Sequence, residues 1–372
     1  MIWSIPALQD TTIYESDPYR NTGLDPILEL NKTGDSTSAD LTESRILIKF
    51  DLSNLSSVLA DNNISINSVS ASLKLYTVQE SQLPLTYTLE AKALAADWAN
   101  GTGYFDNPSI VSSVTITDGA SWIEAAGTGS TTWSSSYFTN PSGKSFIYNN
   151  KIGGGVWYTA SIASQSFNYK KSDTVNINVT NLVKSWYNGT LPNYGFLLTY
   201  NHDLITGSNV PESSIQFYSC ETTTVYEPQL YLSWTGSQVY NVGSLSTVTY
   251  ENTPILYVRA FRGEYIKDKK VRILLGVRDK YPRPSFAQNS VFATMKVLPS
   301  SSYYQIKDAH NNQIIIPYGE ETKINSNNSG SYFDFYTTMM YPERYYKFEV
   351  KANLDGITEY FSSNDFTFKI VE

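Results

Sequence analysis

Nucleophilic hydrolysis needs a base beside its serine or cysteine. This chain of 372 residues offers two histidines, His202 and His310, and one cysteine, Cys220. His202 follows a strand-like run in Tyr200-Asn201-His202-Asp203, and His310 sits in the polar turn Asp308-Ala309-His310-Asn311-Asn312. Both read as loop residues. Cys220 lies in the strand-like run Ile215–Glu221 without a His-rich neighbourhood, and as the sole cysteine it has no internal disulfide partner. Paired carboxylates support glycoside cleavage when they face one another across a substrate. Glu320 and Glu321 are adjacent in a Gly-bounded turn, and Asp97 and Asp106 flank a Gly-rich loop beside Trp98, a pairing frequent by chance. No HExxH, Cys-x-x-Cys, Walker-type or GxGxxG pattern occurs. Gly153-Gly154-Gly155 has no following helix to supply a dipole and reads as a turn. The expectation is a protein with no catalytic residues, no catalytic metal and no cofactor.

Binding chemistry has more to work with. Sugars stack their apolar faces on aromatic rings while polar side chains address the hydroxyls. Trp133, Trp157 and Tyr104, in and beside a long loop region, have that character, whereas Trp122 reads as core. Hard cations take six to eight oxygens. Asp17, Asp25 and Asp35 in early loops make a structural calcium the one metal to consider, without EF-hand spacing to support it. Tyr341, Arg344, Tyr345 and Tyr346 form a candidate partner-binding cluster, because Tyr and Arg are enriched at buried interface centres.

Those residues must be held by strands. Charged residues make up 17% of the chain and aromatics 14%, with 29 tyrosines. Tyr, Thr, Val and Ile favour sheets, so the composition points to an all-β protein. The net charge of −8 argues against a phosphate-backbone partner. The exception is the basic run Arg259, Arg262, Lys267, Lys269, Lys270, Arg272, Arg278, Lys280 and Arg283, which reads as a solvated strand edge or protein contact in preference to a nucleic-acid patch. Met1–Pro6 shows neither a basic nor an apolar leader region, and no apolar run approaches about 18 residues. The expectation is a product of a cytoplasm with no signal peptide and no membrane partner.

Alternating apolar and polar residues mark strands over 10–14, 27–30, 46–50, 71–78, 86–94, 174–179, 196–200, 214–218 and 229–234. Thr180–Tyr187 reads as a short helix with Thr180 at its N-cap, Leu182, Val183 and Trp186 on its apolar face, and Asn188-Gly189 as its stop. Residues 101–155 read as a long functional insertion. These features define a first domain over 1–236, expected to be a jelly-roll-like β-sandwich. A Gly/Ser/Thr-rich linker is expected over 237–246. The remaining 247–372 read as a smaller immunoglobulin-like β-sandwich, with strands over 255–261, 271–277, 291–297, 303–306, 314–316, 332–336, 345–352, 359–361 and 366–370. Asn353-Leu354-Asp355-Gly356 is a hairpin signal.

An ordered series of motifs in the first domain resembles the DNRLRE family, a carbohydrate-binding-module-like β-sandwich of cell-surface and phage proteins. The series is Asp10–Tyr14, Arg45–Ser53, Ala71–Tyr76, Asp97–Gly103, Gly119–Trp122, Val179–Gly189, Asn193–Leu198 and Phe217–Ser219. In Val179–Gly189, Asn181 stands where the family pattern has Asp, and the family's namesake motif is not evident. The second domain resembles small domains of virion structural proteins from large tailed phages, through 289–292, 302–309, 332–336 and 341–348. Together the resemblances imply a non-enzymatic virion component, in the capsid decoration, neck or tail, whose partners are other virion proteins and copies of itself. The alternative is a module that attaches a virion or cell to surface glycan.

Overall fold

The computed structural model describes residues 1–33, 42–106, 118–127, 133, 153–168, 174–201, 212–236, 238–252, 254–281 and 295–372. Asp35, His202 and most of the strand expected over 291–297 lie outside them. The chain is all-β and folds as two compact units: residues 5–231, and residues 232–372 together with Met1–Ser4. The division falls between Tyr231 and Leu232 rather than after 236, and the first four residues go with the second unit. Among the described residues no helix is long and apolar enough to cross a membrane.

The first unit is built from the greater part of β1 (Ile2–Tyr14), β2 (Ile27–Thr33), β3 (Thr42–Phe50), α1 (Leu55–Asp61), β4 (Ser70–Leu75), β5 (Thr77–Ser81), β6 (Thr86–Leu94), β7 (Trp157–Asn168), β8 (Val175–Asn178), α2 (Thr180–Tyr187), β9 (Phe196–Tyr200), β10 (Ser213–Tyr218) and the start of β11 (Gln229–Ser233). One antiparallel layer runs β7-β6-β9-β3-β1. The strand β3 is the joint. Thr42 and Glu43 pair with β2, which continues through β10 to β5, whereas Ser44–Phe50 pair with β1 and, on the other side, β9. In register, Ile46 faces Leu198 and Ile48 faces Phe196 toward the sandwich interior, while Leu47 faces Leu197 on the opposite side. All six are fully buried, so this sheet is covered on both faces.

The helix α2 closes one end through Leu182, Val183 and Trp186, and the Trp186 ring packs 4.6 Å from Phe196. Burying each such side chain is worth about 1.5–3 kcal/mol. Thr180 is not the cap expected of it. It lies inside the helix, and its hydroxyl accepts from Ala71 N at 2.9 Å, tying α2 to β4. The side chain of Asn178 accepts from the Thr180 amide instead. A hydroxyl that can bridge two elements outbids a local cap.

The second unit holds β12 (Tyr240–Asn241), β13 (Pro254–Arg259), β14 (Glu264–Ile266), β15 (Lys270–Asp279), β16 (Ser302–Asp308), β17 (Ile314–Ile316), β18 (Asn325–Asn327), β19 (Gly330–Tyr336), β20 (Tyr345–Leu354), β21 (Ile357–Phe361) and β22 (Thr367–Val371). A five-stranded sheet runs β12-β18-β19-β15-β13, and a six-stranded sheet runs β14-β22-β20-β16-β17 with β21 also on β20. Stacked rings fill the space between them: Tyr304 lies 4.1 Å from Phe333, and Phe348 lies 4.6 Å from Phe366. The β20–β21 hairpin turns through Asp355 and Gly356, both at positive φ (52° and 88°), as an Asp-Gly pair favours.

Candidate functional site

The outer face of β3, β6 and β9 carries a charged strip under a tryptophan cover. Arg45 is buried, paired with Glu43, and donates to the Gly154 carbonyl. Its guanidinium lies 4.8 Å from the Trp122 ring and 5.2 Å from Trp157. Lys92 stacks on Trp157 at 4.5 Å and bonds Glu90 at 3.1 Å. Burial holds the Lys92 ammonium below its ordinary pKa, with Glu90 opposing that shift. Gly154 lies at φ 79°, and a Cβ there would fall 2.6 Å from Arg45 Nη1 and 2.8 Å from Trp122, so only glycine lets the loop close over the cation.

This arrangement removes two of the expected stacking platforms. Trp157 is 3% exposed and has cations against its ring. Trp133 is 1% exposed and donates its indole N–H to Ser121 O at 2.7 Å. Both belong to a core cluster with Trp98, Trp122, Leu47 and Leu197. The physical reason is coverage: Leu47, Leu94 and Leu197 beside the buried Arg45 need large flat side chains over them, and the described part of the insertion supplies them.

Tyr104 is placed differently. It is 45% exposed beside Phe105, which is also exposed. Their loop is fastened by the buried side chain of Asn21, which donates to Asn100 O (2.7 Å) and Ala120 O (2.8 Å) and accepts from Gly103 N (2.9 Å) and Gly23 N (3.2 Å). That is one amide with both its donor and acceptor sides fully used. The guanidinium of Arg20 lies 4.9 Å from the Phe105 ring and pairs with Asp17 at 2.8 Å. Tyr19, 50% exposed, precedes Arg20 in the chain. Nothing in the sequence marked Tyr19 or Phe105, because the Asn21 clasp joins segments about 80 and 100 residues away.

The remaining polar candidates are committed elsewhere. Asp17 serves Arg20, and Asp25 accepts from Phe105 N at 2.9 Å, its carboxyl raised above the usual range by burial. Among the described residues no group of three or more His, Cys, Asp and Glu side chains is placed to hold a metal. Asp97 pairs with Lys49 at 2.7 Å, and Glu320 accepts from the Tyr303 hydroxyl at 3.0 Å. The backbone N–H of Cys220 donates to the buried Asp10 carboxylate at 2.7 Å, and burial together with that carboxylate pushes the thiol above its ordinary pKa. Such a thiol is a poor nucleophile at neutral pH.

Of the four residues expected to meet a partner, only Tyr345 offers its ring, at 57% exposure. Tyr346 is buried, and its hydroxyl accepts from Tyr341 N at 2.8 Å. Arg344 reaches Asp308 at 3.2 Å, a carboxylate that also accepts from His310 N. Tyr341 and Arg344 are half-buried. Alternation along β20 sends Tyr345 and Tyr346 to opposite faces, which explains the split. Within the basic run, Arg272 is held in a fork by Asp334 (2.6 and 2.8 Å) over the Tyr332 ring. Lys270 reaches the same carboxylate at 3.9 Å, so part of the run is neutralised on its own sheet.

No family model matches this chain, and neither a curated protein nor a solved structure matches it.

Proposed function

We propose that this chain is a non-enzymatic structural component of a tailed-bacteriophage virion. It would act in capsid decoration, the neck or the tail through contacts with other virion proteins and with copies of itself, after synthesis in the host cytoplasm. One observation carries the reading. The second unit leaves large apolar side chains outward on both of its sheets: Tyr257 and Leu274 on one, and Ile266 and Tyr345 on the other. Outward rings and aliphatic groups are the side chains from which the centre of a protein interface is built. The resemblance of 302–309, 332–336 and 341–348 to virion proteins supplies the particle context. Mass spectrometry of gradient-banded particles tests it: peptides of this chain co-banding at constant stoichiometry are expected, and their absence from the particle fraction overturns the reading.

In the first unit, the glycan-adhesion reading has its foothold in the pinned Tyr104–Phe105 tip with Tyr19 nearby in sequence. A glycan-array signal abolished by Tyr104→Ala would favour it. A signal unchanged by Tyr104→Ala, or no signal, would remove that tip as the site.

A further inference from the structure

A row of side chains crosses three strands of the six-stranded sheet. Tyr303 on β16 stands opposite Lys351 on β20, and Lys351 stands opposite Tyr360 on β21. Directly opposed residues share a face, and two inter-strand spacings make the row about 10 Å long. The Lys351 ammonium lies 5.1 Å from the Tyr303 ring and 4.9 Å from the Tyr318 ring. The Tyr318 ring in turn meets Tyr360 at 6.3 Å, nearly edge-on. Tyr360 is 63% exposed.

Two neighbouring carboxylates are already engaged. Glu349 takes Lys307 at 2.6 Å, and Glu320 takes Lys323 at 3.7 Å and the Tyr303 hydroxyl. Among the described residues, Lys351 has rings and no carboxylate within ion-pair reach. The surrounding charge agrees in sign. Residues 5–231 hold 11 Lys and Arg against 21 Asp and Glu, a net of −10, whereas residues 232–372 hold 16 against 14, a net of +2. By net charge, an anion is less disfavoured at the second unit than at the first.

We propose that this row binds a carboxylated glycan, with a sugar ring on Tyr360 and its carboxylate on Lys351. A protein interface keeps its apolar centre unbroken, but here ring and charge alternate across the strands, as Tyr303, Lys351 and Tyr360. That alternation suits a chain whose own apolar faces and polar groups alternate. A cation already resting on aromatic rings gives the carboxylate a preformed position. The inference does not rest on the virion reading, because it is tested on the isolated chain.

The experiment titrates polygalacturonate, alginate and polysialate into the full-length chain, with neutral dextran as the control, at low and physiological salt. Binding to at least one carboxylated polymer is expected, at least tenfold weaker with Lys351→Met or Tyr360→Ala, unchanged with Lys49→Met on the first unit, and weakened by salt. Equal thermal unfolding of the variants shows that the loss is not misfolding. Binding to none of the three polymers, equal binding of dextran, or a Lys351→Met variant that binds as well as wild type would each overturn the proposal.

Discussion

The guanidinium of Arg45 stacks 4.8 Å from the ring of Trp122, and the two residues come from a central strand and from the insertion that covers it. Their contact turns what reads as a loose loop into the roof of a buried ionic site. Glu43 beneath it has one oxygen paired with Arg45, and its other oxygen, Oε2, is buried without a hydrogen-bond partner. Removing the cation strands a carboxylate in low dielectric. Arg45→Met should therefore destabilise the first unit by about 3 kcal/mol, and adding Glu43→Gln should recover part of that loss. Urea unfolding followed by tryptophan fluorescence measures both. Equal stability of Arg45→Met and wild type would contradict the assignment.

Asp10 predicts a pH dependence. Burial raises its carboxyl from 3.8 to about 7, against the opposing Cys220 hydrogen bonds. Below about pH 4 both folded and unfolded chains hold the proton, and the shift costs nothing. As pH rises toward about 7 the unfolded chain ionises first, so stability falls; above that the full penalty stands, on the order of 4 kcal/mol. Asp10→Asn keeps an acceptor for the Cys220 amide and has no proton to lose. The variant should be more stable than wild type at pH 8 and no more stable at pH 4. Parallel stability profiles for the two proteins would refute this.

Asn21 concentrates four hydrogen bonds on one buried side chain. Asn21→Ala should cost about 3 kcal/mol, since each abandoned buried group carries its own desolvation penalty. It should also speed amide exchange at residues 100–105 and 119–120 well beyond the change elsewhere in the unit. Uniform exchange across the unit would show that the clasp does not govern the Tyr104 tip.

Tyr345 is exposed and Tyr346 is core, so the two adjacent tyrosines should separate cleanly. Tyr346→Ala should lower stability by about 3–5 kcal/mol through the cavity it leaves. Tyr345→Ser should stay within about 0.5 kcal/mol of wild type while reducing self-association in sedimentation. A stability loss at Tyr345 matching that at Tyr346 would contradict the face assignment.

Strands were legible where period-2 alternation met a core, as in Tyr345–Leu354, and where a short apolar run was buried on both faces, as in Ile46–Ile48. The strand β7 was not, because its half-buried positions between Trp157 and Phe167 are Thr159, Ser161, Ala163 and Gln165, and the alternate positions from 160 to 166 are exposed. Its register is set by β6, a partner about 70 residues distant, and a local pattern carries no trace of that. The same limit governs the site. Trp133 and Trp157 have the composition of a binding platform, yet Arg45 and Lys92 arrive from distant strands to occupy the face of Trp157. The row through Lys351 was invisible for the converse reason: Tyr303 and Tyr360 become its neighbours only once β16 and β21 pair with β20.

The central claim is that the second unit joins this chain to a particle through its outward apolar side chains. Cryo-microscopy of purified virions carrying the chain measures it most directly. The account predicts density for both β units, with Tyr345 or Tyr257 buried against a neighbouring subunit. Particles without density for the chain, or with every one of those rings facing solvent, would contradict it.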